Sequence, residues 1–454
     1  MTKKFVLFLS DIASLYISLL LTLSLRYREE FSYQYHLHLL PFILIFILWL
    51  LVFYIANLYD VRSLRNTLNF YSSFFQAVTI AAGISIAFFY LLPIFSITPR
   101  TNLFIFIVIF SGLGTVIRSA FNSLAGRSFK KQILIVGVNR QTIELAHFIK
   151  KNPQSGYQLT YVVDITGGSK EIAEDDRRFV IIEGAENIDK IIRNEKINTV
   201  IISPEAYQIP EIIDMFYKSL ERRVTFRNLS SFYENLTNRV PLGAINQIWF
   251  LENLSEGSKS SYEVLKRFFD TIFAIVMGVA SLALYPFIIL AIKISSPGPI
   301  FYRQKRLGQA GKVFEIIKFR TMDQNAEKFT GAVWTVEGDP RITKIGNLLR
   351  KMRLDELPQL WNILKGEMSF VGPRAERPEF HEQLKQEIPF YEERYIIKPG
   401  LSGWAQINYR YGSSVADAAE KLQYDLYYIK NRSLILDLGI ILKTVNIALK
   451  QAGR

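Results

Sequence analysis

Five long apolar runs constrain this 454-residue chain more than any other feature. Residues 5–25, 40–58, 75–95 and 102–124 are each close to the ~20 residues that a helix needs to cross a bilayer. The first follows Lys3 and Lys4, as a signal peptide would. It lacks a small-residue cleavage site and further spans follow it, so it is expected to be retained. Half of the residues are apolar, including 34 Phe and 23 Tyr, which is high for a soluble chain with average charge. Lys3, Lys4, Arg62, Arg65, Arg127, Lys130 and Lys131 flank the ends that lie inside if the N-terminus is inside. Arg26, Arg28 and Arg100 would then lie outside, and the bias favours that orientation.

The fifth run, 268–294, is basic at both ends, with Lys266 and Arg267 before it and Lys293, Arg303, Lys305 and Arg306 after it. The positive-inside rule cannot favour a span with both ends cytoplasmic. Pro286 removes a backbone donor and clashes with the preceding turn, so it can fold the segment back. On the residues alone, a Pro-kinked spanning helix is an equally good reading.

Between these membrane segments the texture is that of an α/β domain. Residues 132–136, 159–163 and 199–203 read as strands and 142–150 as an amphipathic helix, an alternation that predicts a parallel sheet. The first strand ends in Gly137-Val-Asn-Arg-Gln-Thr142, where a dinucleotide site needs Gly-x-Gly-x-x-Gly for close approach of a pyrophosphate. Only the first glycine is present. Asp164 stands where a ribose-binding acid would, but an oligomerisation or regulatory role is the expectation for this degenerate Rossmann-like domain.

The net charge of +13 points to anionic partners, and the membrane segments favour lipid headgroups and nucleotide phosphates over nucleic acid. The absence of cysteine excludes disulfides and thiolate chemistry. The four histidines are scattered without zinc spacing, so any metal is expected to be Mg²⁺ held through carboxylates. The candidate carboxylates stand in Arg350-Lys-Met-Arg-Leu-Asp355-Glu356-Leu-Pro-Gln-Leu-Trp-Asn362, with Gly372-Pro-Arg374 close behind. Adjacent acids among fixed cations suit a phosphate and divalent-metal site. Without further motifs, a solvated charge run explains them equally well.

Further motifs exist, and in a fixed order: Ser296-Pro-Gly-Pro299, Gln304-Lys-Arg306-Leu-Gly308, Lys318-Phe-Arg-Thr-Met322, Gly338-Asp-Pro-Arg-Ile-Thr343, Leu354-Asp-Glu-Leu-Pro-Gln359, Gly366 to Arg374, and Lys398 to Gln406. From residue 262 onward the chain resembles the monotopic phosphoglycosyl transferases, also called bacterial sugar transferases. The N-terminal helices and the degenerate nucleotide fold resemble the large, exopolysaccharide-initiating members.

The resemblance implies transfer of a sugar 1-phosphate from a UDP-sugar to undecaprenyl phosphate, giving a polyprenyl diphosphate sugar and UMP by ping-pong chemistry. It implies Asp355 as nucleophile and Glu356 as Mg²⁺ ligand, with Asp355 beside it at the metal. Lys318, Arg320, Arg350 and Arg374 are the candidate phosphate-binding cations, and Gln406 and Arg410 are possible substrate contacts. It also tips the 266–295 segment toward a re-entrant helix broken at Pro286, with the catalytic domain on the cytoplasmic face of a bacterial inner membrane. Arg353 departs from the family pattern and adds a cation beside the pair. Asp339 and Arg341 fit a Gly-Asp-Pro turn as well as a site, and Trp404 fits an interfacial anchor as well as a stacking platform. The expected organisation is four transmembrane helices over 1–127, the Rossmann-like domain over 128–253, and an α-rich catalytic domain with the re-entrant helix over 254–454, assembled as a homodimer or other homo-oligomer. A nucleotide-sugar dehydratase or epimerase is the competing class, because Tyr262-x-x-x-Lys266 matches its Tyr/Lys pair. A non-catalytic scaffold is a third.

Overall fold

The computed structural model describes residues 2–60, 63–91, 100–127, 130–165, 167, 181–254, 259–323, 326, 339–409, 412 and 414–449. Arg62, Gly338 and Arg410 lie outside the described residues. The described chain forms two compact units, Met1–Leu229 and Ser230–Arg454.

The first unit begins with four helices, α1 (Thr2–Arg26), α2 (Phe31–Ile55), α3 (Leu68–Leu91) and α4 (Arg100–Arg127). All four are long and apolar enough to cross a membrane. Their core is a cluster of edge-to-face rings in which Trp49 lies 5.4 Å from Phe106 and 5.1 Å from Phe110, and Phe42 lies 5.5 Å from Phe106. One polar feature was hidden in the apolar runs. Arg118 of α4 pairs with Asp11 of α1 at 2.5 Å, both fully buried, and Phe53, Tyr59 and Phe74 surround the guanidinium. Charges at this depth persist only when paired inside a bundle, so the pair locks α1 against α4.

An α/β domain follows: β1 (Lys131–Val136), α5 (Arg140–Lys151), β2 (Tyr157–Asp164), β3 (Ile181–Glu183), α6 (Ile188–Asn194), β4 (Thr199–Ile202), α7 (Pro210–Lys218) and β5 (Thr225–Asn228). The strands are parallel in the order β3-β2-β1-β4-β5, so the strand order reverses at β1 and β4. A nucleotide would sit at the carboxyl ends of those two strands. At those strand ends the chain's own residues approach one another closely. Gly137 (φ 98°) lies so close to Ser203 that a Cβ would fall 1.9 Å from its Oγ. The Asn139 side chain caps α5 and donates to both Glu205 carboxylate oxygens at 3.2 Å. Gly137 therefore serves strand-to-strand approach.

The second unit contains α8 (Leu229–Thr237, from its second residue), α9 (Gln247–Asn253), α10 (Ser260–Leu282), α11 (Tyr285–Ser295), the antiparallel hairpin β6 (Phe301–Leu307) and β7 (Val313–Phe319), α12 (Lys344–Lys351), α13 (Leu360–Lys365), β8 (Ser369–Val371), α14 (Pro378–Glu387), β9 (Gly400–Ser402), α15 (Trp404–Asn408), α16 (Val415–Asn431) and α17 (Leu434–Leu449). The domain boundary falls earlier than the sequence suggests. Residues 230–253 were expected to end the Rossmann-like domain, but Val240 donates to Gln423 across a backbone hydrogen bond of 3.0 Å, and Glu234 and Arg239 pair with Lys430 and Glu420 of α16. Hydrophobic spacing alone could not assign this linker to one core.

The apolar run 268–294 is two helices, α10 and α11, bent by 62° at a two-residue break. Pro286 opens the second helix at its first turn, where a missing N–H costs nothing, so it starts α11 and does not kink a continuous rod. Both ends of the pair are tied to the same unit. On the entry side, Lys266 bonds Asp437 at 2.7 Å and Arg267 donates to the Ile363 and Leu364 carbonyls. On the exit side, Arg320 donates to the carbonyls of Ser296 (2.6 Å) and Pro297 (2.8 Å).

Candidate active site

Asp355 and Glu356 lie in a single 3-10 stretch, Leu354–Gln359, between α12 and α13. Arg353 precedes it in the left-handed region (φ 59°), which turns the chain sharply out of α12, and Pro358 inside the stretch leads into α13. This path tucks both acids inward; each is less than a tenth exposed. The strand β7 brings Lys318 alongside. On the other side, Arg374 follows β8, whose pairing with β9 requires two glycines. A Cβ on Gly400 would fall 2.0 Å from the Gly372 nitrogen, and one on Gly372 2.4 Å from the Lys398 carbonyl oxygen. The Gly-Pro-Arg and Pro-Gly motifs are therefore two halves of one crossing.

Three cations converge on Glu356: Lys318 Nζ at 3.1 Å and Arg374 Nη2 at 3.3 Å from Oε1, and Arg353 Nη1 at 3.4 Å from Oε2. Burial opposes ionisation of Glu356, but Lys318, Arg374 and Arg353 outweigh it and hold the carboxyl far below the usual carboxylate range. Asp355 is the opposite case. Burial first, and then the Glu356 charge, push its pKa up from 3.8, against the pull of Lys318, Arg350 and Arg353. Its Oδ1 is buried and has no hydrogen-bond partner, and the same is true of Gln359 Nε2 in the same stretch. One acid is thus a fixed anion clamped by cations, and its neighbour presents an uncommitted oxygen.

Of the expected phosphate-binding cations, Lys318, Arg350 and Arg374 gather at the pair; Arg350 also donates to Thr321 Oγ1 at 2.7 Å. Arg320 does not. Its Nη1 and Nη2 donate to the Pro297 and Ser296 carbonyls, with Nε buried and unpartnered, which makes it the anchor of the Ser-Pro-Gly-Pro loop. Arg353 takes a direct place on Glu356. Its signal in the sequence was only the extra positive charge two residues before Asp355; the left-handed backbone that aims it was not visible there. Gln406 donates weakly to Leu401 O at 3.4 Å and keeps a buried, unpartnered Oε1. Trp404 stacks on Tyr427 at 5.6 Å and donates to Asn238 O, so that face of its ring is already occupied. Asp339 accepts from the Arg341 backbone and guanidinium, which hold its pKa down at about 2, so these two build the turn. Tyr262 and Lys266 both bond Asp437 Oδ2, at 2.8 and 2.7 Å, and form a packing staple.

For a divalent cation the donor of this pair that is free of an ion pair is Asp355 Oδ1; Glu356, whose two oxygens are held by Lys318, Arg374 and Arg353, would join it by exchanging an ion pair for the metal. Among the described residues, no group of three or more acidic or imidazole side chains converges. Such a donor set fits Mg²⁺ carried in with a diphosphate, since that ion takes one or two carboxylates plus phosphate and water.

The bacterial sugar transferase profile matches residues 261–451, and a CoA-binding domain profile matches residues 54–227. An exopolysaccharide production protein of Rhizobium leguminosarum bv. phaseoli is 40% identical over 191 residues, which cover 94% of that protein and 40% of this chain. The chain belongs to the bacterial sugar transferase family. Larger sugar transferases match further toward the N-terminus. The UDP-N-acetylgalactosamine-undecaprenyl-phosphate N-acetylgalactosaminephosphotransferase of Aeromonas hydrophila is 39% identical over 236 residues, 50% of this chain and 52% of the relative. The UDP-glucose:undecaprenyl-phosphate glucose-1-phosphate transferase of Xanthomonas campestris pv. campestris is 29% identical over 342 residues, 73% of this chain and 69% of the relative. The alignment with the Aeromonas protein thus spans about half of that protein's length.

Proposed function

We propose that this sugar transferase moves a sugar 1-phosphate from a UDP-sugar to undecaprenyl phosphate, through a covalent intermediate on Asp355, as the first membrane step of a surface glycan. The observation that carries the reading is the division of labour in the buried pair: Glu356 is neutralised by Lys318, Arg353 and Arg374, while Asp355 Oδ1 has no partner. A carboxylate committed to ion pairs is a poor nucleophile, and an uncommitted one beside fixed cations is a good one.

In the first step the Asp355 carboxylate forms a bond to the sugar-bearing phosphorus. The bond from that phosphorus to the bridging oxygen breaks, and UMP leaves with the electron pair. In the second step a phosphate oxygen of the lipid attacks the same phosphorus, and the Asp355 carboxylate is released unchanged. Lys318, Arg353 and Arg374 surround the place where anionic charge gathers, and Arg forks suit paired phosphate oxygens. Mg²⁺, when bound at Asp355 and Glu356, would neutralise diphosphate charge on the leaving group. The names of the relatives support both substrates, and the membrane helices fit a lipid acceptor.

The bent helix pair gives the lipid phosphate a place to meet the site. From Asp270, whose carboxylate accepts from the Phe370 backbone, to the end of α10 is 13 residues. That is about 20 Å of helix, less than the ~30 Å hydrocarbon core. The ties of both ends to one unit support the reading that α10 and α11 enter and leave a single leaflet, and the need for nucleotide sugars supports the cytoplasmic side. A screen of UMP release over UDP-sugars, with undecaprenyl phosphate and Mg²⁺, tests the reading. One donor should give UMP together with a lipid-linked sugar phosphate, and silence with every donor would sink it.

A further inference from the structure

A cavity of the second unit lies apart from the carboxylate pair, which does not line it. It measures about 820 Å³ and lies between the β6–β7 turn and the segment from α14 to Ile396. One wall is the turn itself, Gln309 to Lys312, in which Ala310 (φ 55°) and Gly311 (φ 71°) are consecutive left-handed residues. An alanine held there is strained, and such outliers concentrate where a backbone must present its polar groups in a set direction. The opposite wall is His381, packed edge-on to Tyr395 at 5.4 Å and facing Glu392 at 3.3 Å. Gln309 donates its Nε2 to the Ile396 carbonyl, which leaves Oε1 to accept, and Lys312 adds an exposed ammonium.

With one ammonium against Glu382 and Glu392, this lining disfavours a ligand that is mainly anionic. It suits an uncharged group rich in hydroxyls and ring heteroatoms, with carboxylates to accept from the hydroxyls and an aromatic edge to flank a ring. A single extended strip leads from the cavity to the carboxylates. Arg374 at its start contacts Glu356, and Pro378 at its end lines the cavity. Four residues of extended chain reach at most about 14 Å, comparable with the length of a nucleoside diphosphate. Guanidiniums hold this strip on both sides. Arg306 donates to the Ala375 carbonyl and Arg394 to the Arg374 carbonyl, and each retains a buried Nε–H without a partner. Arg394 is ion-paired with Asp425 and Glu376, and Arg306 lies 4.0 Å from Glu376, so the guanidinium of this strip that stands more than a third exposed beside the carboxylate pair is Arg374.

We propose that this cavity seats the nucleoside half of the nucleotide-sugar donor, with the diphosphate lying along Arg374 toward Asp355. The inference rests on the donor chemistry given above and adds where the base and ribose are read. It assigns Gln309, Lys312 and Glu392 to donor recognition, at a distance from the reacting phosphorus.

The test uses the full chain in detergent, with UMP as probe. Gln309→Ala/Lys312→Ala alters an exposed turn and should weaken UMP binding in calorimetry, and raise the KM for the UDP-sugar, by about tenfold, the scale of two lost polar contacts. The KM for undecaprenyl phosphate and inhibition by inorganic diphosphate should stay put. A second variant, Glu392→Gln, keeps the shape of the wall and should weaken UMP binding in the same direction. If wild type releases UMP and both variants bind UMP as wild type does, the subsite is wrong and the transferase reading stands. If no donor yields UMP but UMP still binds and the variants weaken it, the subsite stands and the reaction assignment fails. Equal weakening of UMP and inorganic diphosphate would place the contacts on phosphate and overturn the nucleoside assignment.

Discussion

Two adjacent carboxylates in one buried turn cannot both be ordinary anions, and here the surrounding cations decide which one carries the charge. Lys318, Arg353 and Arg374 point at Glu356, so Asp355 is left with a pKa raised above 3.8 by burial and by its neighbour. A nucleophile must be deprotonated, so UMP release should fall on the acid side along a limb displaced above the range of a free Asp. Removing a cation that favours the anion should move that limb further up. The pH profile of kcat/KM for wild type and Arg353→Gly checks both signs, and a limb that moves down in the variant would contradict the assignment. The same variant separates structure from chemistry. Glycine relieves a left-handed backbone that costs roughly 1–2 kcal/mol, which offsets the entropy it adds to the unfolded chain. Thermal stability should therefore hold while UMP release drops about tenfold from the lost charge-assisted contact. Motif spacing, which survives in a linear string, was enough to group the acids with Lys318, Arg350 and Arg374, which the fold brings together. It also grouped Arg320 with them, because an Arg two residues from Lys318 looks the same in sequence whether it faces the acids or backbone carbonyls.

At the scale of elements, the fifth apolar run is the decisive one. Its basic ends and Pro286 were legible, but the 62° bend and the ties at Lys266, Arg267 and Arg320 depend on partners far away in sequence. Cysteines introduced into this Cys-free chain at Ser260 and Arg303 should both resist a membrane-impermeant thiol reagent in whole cells and react after lysis. Labelling of Arg303→Cys alone from outside would mean that the segment crosses. Pro286→Ala allows α10 and α11 to join into one rod and should cut UMP release, since a continuous helix over the two is long enough to span. Arg320→Ala should lower activity less steeply than loss of Lys318, because it loosens the exit loop without touching Glu356.

Across the whole molecule, the layout of membrane helices, parallel sheet and catalytic unit follows from hydrophobic period and motif order. The boundary between the units does not, because residues 230–253 are amphipathic enough for either core and only their contacts with α16 decide. The Rossmann-like domain keeps a nucleotide fold's strand order, lacks the second and third glycines, and at the switch point packs Gly137 on Ser203 and bonds Asn139 to Glu205. Calorimetry of the full chain with NAD and NADP should give no heat, and a micromolar signal abolished by Gly137→Ala would show that the crevice opens.

The measurement closest to the central claim is a single-turnover experiment without lipid acceptor, using a UDP-sugar that supports turnover and carries a radiolabel in the sugar. Wild type should release up to one UMP per chain and retain the label on the peptide containing Asp355, and added undecaprenyl phosphate should then chase the label into lipid. Asp355→Asn, folded to the same melting temperature, should do none of this. UMP release that requires both substrates at once, with no label on the protein, would contradict a covalent intermediate on Asp355.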